Sequence, residues 1–370
     1  MEQNEWFRVA NPKDLVTPAL LVYPDRIVRN IKTMITIAGD VTKLRPHIKT
    51  HKTAEIVQLQ QRFGIQKFKC ATIAEAELLG ECGALDILLA MQPVGPNIER
   101  FFRLMAEFPK SNFSTIVDNQ TLIGEIAAMA QENGTRVTLW LDINNGMNRT
   151  GVAPNVQAVE CFRKICEDPN LIAVGLHVYD GHIHNKDLSQ REKKCNADFS
   201  AVLDLKKELE KQGLPVPSMV VGGSPTFPIH ARRKGVETSP GTTLLWDAGY
   251  ARNYPDMDFL TAAVLVTRVV SKPNSNTVCF DLGHKHLASE MDFPRLVLLD
   301  GEECTQIGQS EEHLVVKCNR DTSYKVGDLV YAIPVHICPT VAKYQEVITI
   351  VDRSLADPWK VAARNLKINI

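Results

Sequence analysis

The chain has 370 residues, 44% of them apolar, enough for one large barrel or two domains and too many for a single small domain. Lys+Arg 42 against Asp+Glu 43 gives a formal charge of -1, so no electrostatic footprint for nucleic acid or an anionic membrane is present and small-molecule chemistry is the default. No apolar run approaches the roughly 20 residues of a spanning helix. The acidic start Met1-Glu2-Gln3-Asn4-Glu5 is followed by no basic or apolar leader, so a cytoplasmic protein is expected. Nine cysteines, an odd number scattered without CxxC pairs, predict reduced thiols rather than a disulfide framework. Cys70, Cys161 and Cys279 lie in apolar surroundings and read as core. Cys338 stands apart because a histidine precedes it by two residues.

From about Val16 to about Arg233, short β-branched runs alternate with longer helical patterns, the order of parallel βαβ units. The predicted strands are 18–23, 43–49, 67–70, 87–90, 114–118, 137–143, 172–179 and 218–223, which is the count of a (β/α)8 TIM barrel. Thr72, with Glu75 completing a capping box, and Asp118 are the predicted N-caps of the helices that follow them. After about Glu237 the period changes, and 262–272, 277–282, 295–299, 313–317, 329–335 and 346–351 read as strands joined by short turns. The expectation is a barrel over 14–236 and an antiparallel β domain over 237–370, with 1–13 packing on the latter.

Arg45-Pro46-His47-Ile48-Lys49-Thr50-His51 places a lysine among cationic neighbours, where its ammonium would be destabilised and its neutral amine could attack an aldehyde. A solvated basic run is the competing reading. Barrel chemistry sits at the carboxyl ends of the strands, with phosphate commonly held after strands seven and eight. The polar clusters follow that rule. Lys49 with His47 and His51 closes the second predicted strand, 142–149 follows the sixth, His177, Tyr179, His182 and His184 follow the seventh, and Gly222-Gly223-Ser224 the eighth. Ser239-Pro240-Gly241-Thr242-Thr243 adds a second glycine-hydroxyl cluster suited to a phosphate. His336 and Cys338 alternate with Ile337 at an expected strand end, so both would face one side and could hold a metal. A buried cysteine beside a polar histidine is the alternative.

These pieces carry a resemblance over almost the whole chain. Thr17-Pro18-Ala19, Arg45 to Lys52, Gly146-Met147-Asn148-Arg149-Thr150-Gly151, His177-Val178-Tyr179-Asp180-Gly181-His182, Gly222 to Thr226, Ser239 to Thr242, Ser310-Glu311-Glu312-His313 and His336-Ile337-Cys338-Pro339-Thr340 resemble the D-threonine aldolase and D-serine dehydratase family. That family uses pyridoxal 5'-phosphate on the alanine racemase-like fold. The resemblance implies that Lys49 bonds the cofactor's aldehyde and Arg149 lies near its phenolic oxygen. Tyr179 would contact the ring nitrogen, with Gly223, Ser224, Gly241 and Thr242 on the phosphate and His336 and Cys338 on a divalent metal. It further implies a homodimer acting on a β-hydroxy D-amino acid such as D-serine, D-threonine or 3-hydroxy-D-aspartate.

A His/Cys pair selects zinc, with manganese or magnesium better served by hard carboxylates. The family's aldolases tend to carry an aspartate where this chain has Cys338, which favours D-serine dehydratase-like elimination over retro-aldol cleavage. The aldol route would need a base on the hydroxyl proton, His182 or His184, although the aldolase histidine falls nearer Asn185. Lys52 reads as a helix-start residue rather than a second lysine for the aldehyde, the 281–286 segment as a β-domain hairpin that either lines the entrance or is a solvated turn, and Asp142 as a brace for the Arg149 turn. Two rivals share the fold: a racemase, with Tyr250 or Tyr331 as second base, and a cofactor-binding barrel without catalysis, which lacks a β domain.

Overall fold

The computed structural model describes residues 5–299 and 302–370, so most of the acidic start lies outside them. In chain order the elements are β1 (Ala19–Val22), α1 (Pro24–Ala38), α2 (Ala54–Arg62), β2 (Lys67–Cys70), α3 (Ile73–Glu81), β3 (Asp86–Leu89), α4 (Pro96–Glu107), β4 (Asn112–Val117) and α5 (Gln120–Glu132). Next come β5 (Val137–Asp142), α6 (Val156–Glu167), β6 (Leu171–Val178), α7 (Leu188–Lys211), β7 (Ser218–Val221), α8 (Phe227–His230), β8 (Val236–Thr238) and α9 (Ala248–Asn253). The rest are β9 (Ala263–Asn274), β10 (Thr277–Phe280), β11 (Leu296–Leu298), β12 (Cys304–Gln309), β13 (Leu314–Cys318), β14 (Leu329–Pro334), α10 (Ile337–Val341), β15 (Glu346–Val351) and β16 (Ser354–Lys360). They form two compact units, a barrel unit of 34–49, 57–241 and 365–370, and a β unit of 1–33, 50–56 and 242–364. No helix among the described residues is long and apolar enough to cross a membrane.

In the barrel unit β2 to β8 run parallel in sequence order. The eighth stave is the segment 44–47, which bridges Leu44 to Thr238 on β8 and His47 to Lys69 on β2. Arg45 and His47 donate their N–H groups to the carbonyls of Thr238 and Pro240, and Lys69 N–H donates to Pro46 O. Pro46 has no N–H to give, which keeps this stave from a regular ladder. Arg45, 1% exposed, spans the joint by pairing with Asp86 on β3 and Glu237 on β8 at 2.6 and 2.7 Å. Inside the barrel, Leu88, Ile116, Trp140 and Val220 pack together.

The expected first barrel strand is elsewhere. β1 pairs antiparallel with β9 and parallel with β15 at the centre of the β unit's sheet. Its four residues are all buried, and Leu21 packs with Phe7, Val9, Leu15, Val264, Val266 and Ile350. A fully buried run reads the same in a barrel as in a covered mixed sheet. β8 makes up the barrel count and was missed because it has three residues. β12 and β16 were also missed: the first is polar and contains Gly308, the second is an exposed strand with Pro358. The cysteine expectation fails at one place, where Cys304 and Cys318 face each other across β12 and β13 and form a disulfide.

Thr72 caps α3 as expected, accepting Glu75 N–H, while the Glu75 carboxylate accepts Ala71 N–H. Asn119 rather than Asp118 caps α5. Asp118 instead accepts the N–H of Gly151 at 3.0 Å and so ties down the turn that carries Arg149.

Candidate functional site

Counted from the stave 44–47, the two glycine clusters follow staves seven and eight, the expected phosphate position. The Gly222–Gly223 turn needs its glycines. Gly222 has φ +74, and a Cβ there would lie 2.8 Å from His230 Cδ2 and Thr226 Oγ1. A Cβ on Gly223 would lie 3.0 Å from the Tyr179 ring. Buried Asp180 props this turn from beneath, accepting from Thr226 Oγ1 at 2.8 Å and pairing with His230 Nε2 at 2.8 Å. Cys195 Sγ completes that network 3.2 Å from His230. The Asp180, Cys195 and His230 donor atoms are close enough for a metal ion, but they are satisfied by one another. Gly241 N–H donates to Ser224 Oγ at 3.1 Å, which joins the two glycine clusters.

Lys49 sits in a single 3-10 turn over 48–50. The cations expected beside it are not charges available to it. Arg45 is paired with two carboxylates, His47 Nδ1 accepts the Lys49 N–H at 3.2 Å, and burial pulls His51 down to about 3, leaving it neutral. The charges around Lys49 come from other elements. Lys49 Nζ, Lys69 Nζ and the Arg149 guanidinium lie 5.6, 5.7 and 5.0 Å from the centre of the Tyr179 ring. Arg149 is presented by the 144–151 turn, where Asn144 Oδ1 accepts from Gly146 and Asn148 N–H groups.

Sequence reasoning missed Lys69. Its Nζ is 3.1 Å from His177 Nε2, and His177 Nδ1 donates to Asp142 Oδ1 at 2.6 Å. Burial and the Lys49 charge bring Lys69 down to about 7. Burial and Lys69 hold His177 low, and Asp142 stays below the ordinary carboxylate range because the His177 ring and the Thr150 hydroxyl outweigh its burial. Asp142 therefore anchors His177 rather than only bracing the Arg149 turn.

Of the two candidate bases, His182 is held: Nε2 pairs with Asp198 at 2.8 Å, and Nδ1 is buried without a partner. His184 is exposed.

In the β unit, β14 ends at Pro334, so the alternating-strand argument for His336 and Cys338 fails. His336 is the N-cap of α10 and Cys338 lies in its first turn, yet the two side chains still meet through a hydrogen bond. That bond raises His336 to about 9. Burial pushes the Cys338 thiol up, but His336 and the hydroxyls of Thr242 and Thr50 outweigh it and lower it. Those hydroxyls lie 3.5 and 3.2 Å from Sγ. Glu290 Oε1 holds His336 Nδ1 at 2.5 Å, and Asp247 accepts the Ile337 N–H. Lys52 has φ +55 ahead of α2, which starts at Ala54, so it does not start the helix. Asp281 accepts from the Thr17 and Thr267 hydroxyls and is a structural brace. Tyr331 is 2% exposed with its hydroxyl accepting Val9 N–H, which removes it as a second base.

The residues present fit both expected groups. A half-buried Lys49, a buried Lys69 and an exposed Arg149 around one phenol ring, a partnerless buried Ser239 Oγ and two joined glycine clusters suit an anionic aromatic phosphate. An ionisation-prone thiol beside an oriented imidazole suits a soft divalent ion.

The family described as alanine racemase, N-terminal domain, matches residues 22–247, and the putative serine dehydratase domain matches 262–350. The chain is 27% identical over 370 residues to a 3-hydroxy-D-aspartate aldolase of Paracoccus denitrificans (strain Pd 1222), covering 95% of this chain and 92% of that one. It is 25% identical over 356 residues to a D-threonine aldolase of Arthrobacter sp, covering 94% and 92%. The crystal structure of D-threonine aldolase from Filomicrobium marinum superposes with a TM-score of 0.88 at 27% identity, covering 95% of this chain and 96% of that one.

Proposed function

Because this chain belongs to the alanine racemase-fold family that includes D-threonine aldolase and D-serine dehydratase, we propose that it is a pyridoxal 5'-phosphate- and divalent-metal-dependent lyase of β-hydroxy D-amino acids. The observation that carries the reading is the convergence of Lys49, Lys69 and Arg149 on the Tyr179 ring. When bound, the cofactor supplies an electron sink for charge at the substrate's α-carbon and the metal a Lewis acid for its β-hydroxyl. Lys49 would hold the cofactor at its aldehyde through Nζ and, once the substrate amine has displaced it there, would take up the α-proton at the freed Nζ. Tyr179 orients the ring, Arg149 binds the anionic substituent, and Gly223, Ser224 and Gly241 bind phosphate. His336 and Cys338 hold the metal, with Glu290 fixing the imidazole.

Elimination is the favoured reaction, supported by the soft Cys338 donor. Retro-aldol cleavage is the second reading, favoured by His182, whose buried Nδ1 and Asp198 partner suit a base on the β-hydroxyl. Product analysis separates them. Elimination turns D-serine into pyruvate and ammonia, whereas aldol cleavage turns D-threonine into glycine and acetaldehyde. A chelator should remove either activity while leaving the cofactor bound. Metal-independent racemization of D-alanine at a comparable rate would refute the lyase reading.

A further inference from the structure

We propose that Lys69 is a further positioning residue of the cofactor site: its amine, propped by His177 and Asp142, takes up a proton when the anionic cofactor binds. The proposal rests on the cofactor reading above. Lys69 is 3% exposed on the middle of a barrel strand, a place where a methionine would pack without desolvation cost. Its side chain bonds an imidazole nitrogen instead of a carboxylate. With Nδ1–H given to Asp142, the neutral His177 ring can only accept at Nε2, so it aims the lysine without competing for the proton.

The groups that face Lys69 come from every element around it. Lys49 and Arg45 from the 44–50 segment disfavour its charge, whereas Asp142 at the end of β5 and Asp180 after β6 favour it. His177 and Tyr179 complete the surroundings, with Arg149 across the tyrosine ring. Burial and the Lys49 charge win and bring the amine down to about 7, so it holds its proton far more loosely than an ordinary lysine. An anion beside such a group must raise its proton affinity. The proton moves from solvent to Lys69 Nζ, and the His177–Asp142 hydrogen bond keeps its own. The ligand's charge is then answered by a cation that forms on demand.

The test is calorimetric titration of the full chain with pyridoxamine 5'-phosphate, which has no aldehyde and cannot bond Lys49, in pH 8 buffers of different ionisation enthalpy. Wild type should take up about one proton more than Lys69→Met or Lys69→Arg, because a neutral side chain gains none and a permanent guanidinium is already charged. Two variants guard against misfolding of one. His177→Gln should keep part of the uptake, since the glutamine carbonyl can still accept from the amine. Binding with equal proton uptake in wild type and either folded variant would overturn the proposal and leave the cofactor reading intact. If wild type binds neither pyridoxamine nor pyridoxal phosphate, the cofactor reading falls and this proposal with it.

Discussion

Lys67 and Lys69 show what a strand pattern can and cannot reveal at the scale of a residue. They flank Phe68 on one face of β2, a period of two that reads as an ordinary polar face. In a barrel that face points inward, and depth then separates the two: Lys67 reaches Glu237, while Lys69 ends beside Tyr179. Lys49, Arg149 and Tyr179 were legible because each sits in a distinctive motif, whereas nothing around Lys69 sets it apart in sequence. Its burial has a consequence for stability. The folded value near 7 lies below the ordinary 10.5, so between those pH values the unfolded chain binds more protons and stability rises with pH. Without cofactor, Lys69→Met should therefore raise the urea midpoint at pH 7, and the gain should shrink steadily as pH approaches 10. A gain that is constant with pH would mean that the amine is fully charged in the fold. The glycine turn gives a second residue-scale prediction. Valine at 223 would press on the Tyr179 ring from 3.0 Å, so Gly223→Val should weaken pyridoxal phosphate binding at least about tenfold, roughly 1.4 kcal/mol, with the fold retained by circular dichroism.

At the scale of elements, the pattern of alternating runs located most of the barrel but placed 18–23 among its staves and missed β8. The 44–47 stave is held less by ladder hydrogen bonds than by Arg45, whose guanidinium grips Asp86 through both terminal nitrogens and Glu237 through Nε. The same arginine that looked like an activator of Lys49 is a clamp between β3 and β8. Removing one partner of a buried ion pair strands the others, at a cost of about 3 kcal/mol or more. Arg45→Ala should lower the urea midpoint accordingly and loosen cofactor binding with it, because His47 and Lys49 follow on the same segment. A fall below about 1 kcal/mol would show that the backbone bonds of Arg45 and His47 hold the stave alone. The proposed metal ligands show the converse case. His336 and Cys338 were identified by type and spacing, but the reasoning from strand alternation was wrong, and their meeting depends on the N-terminal turn of α10.

For the whole molecule, the chain passes between its two units after residues 33, 49, 56, 241 and 364, so neither unit is a continuous segment. Local pattern sees only the order of elements, and the order placed 18–23 with the barrel. Long-range pairing decides otherwise, because β1 fits between β9 and β15 with Leu21 in register with Val264 and Ile348. This gives a test that does not involve catalysis. A fragment of residues 242–370 retains β9 to β16 but loses the strand between β9 and β15, along with the buried Phe7, Val9, Leu15 and Tyr23 that pack beside it. Each fully buried large apolar side chain contributes about 1.5–3 kcal/mol, so the loss exceeds the usual 5–15 kcal/mol margin of a domain's stability once several are gone. The fragment alone should lack a cooperative thermal transition and should aggregate through its two opened strand edges. Adding a second fragment of residues 1–40, which supplies β1 and α1, should restore a soluble complex with a single transition. Carrying Leu21→Asp in that second fragment should abolish the rescue, because the charge would fall in the apolar cluster around Val264 and Val266. A cooperative transition in 242–370 by itself would mean that β9 and β15 can close on one another without β1, and that the N-terminal strand adds to this unit without defining it.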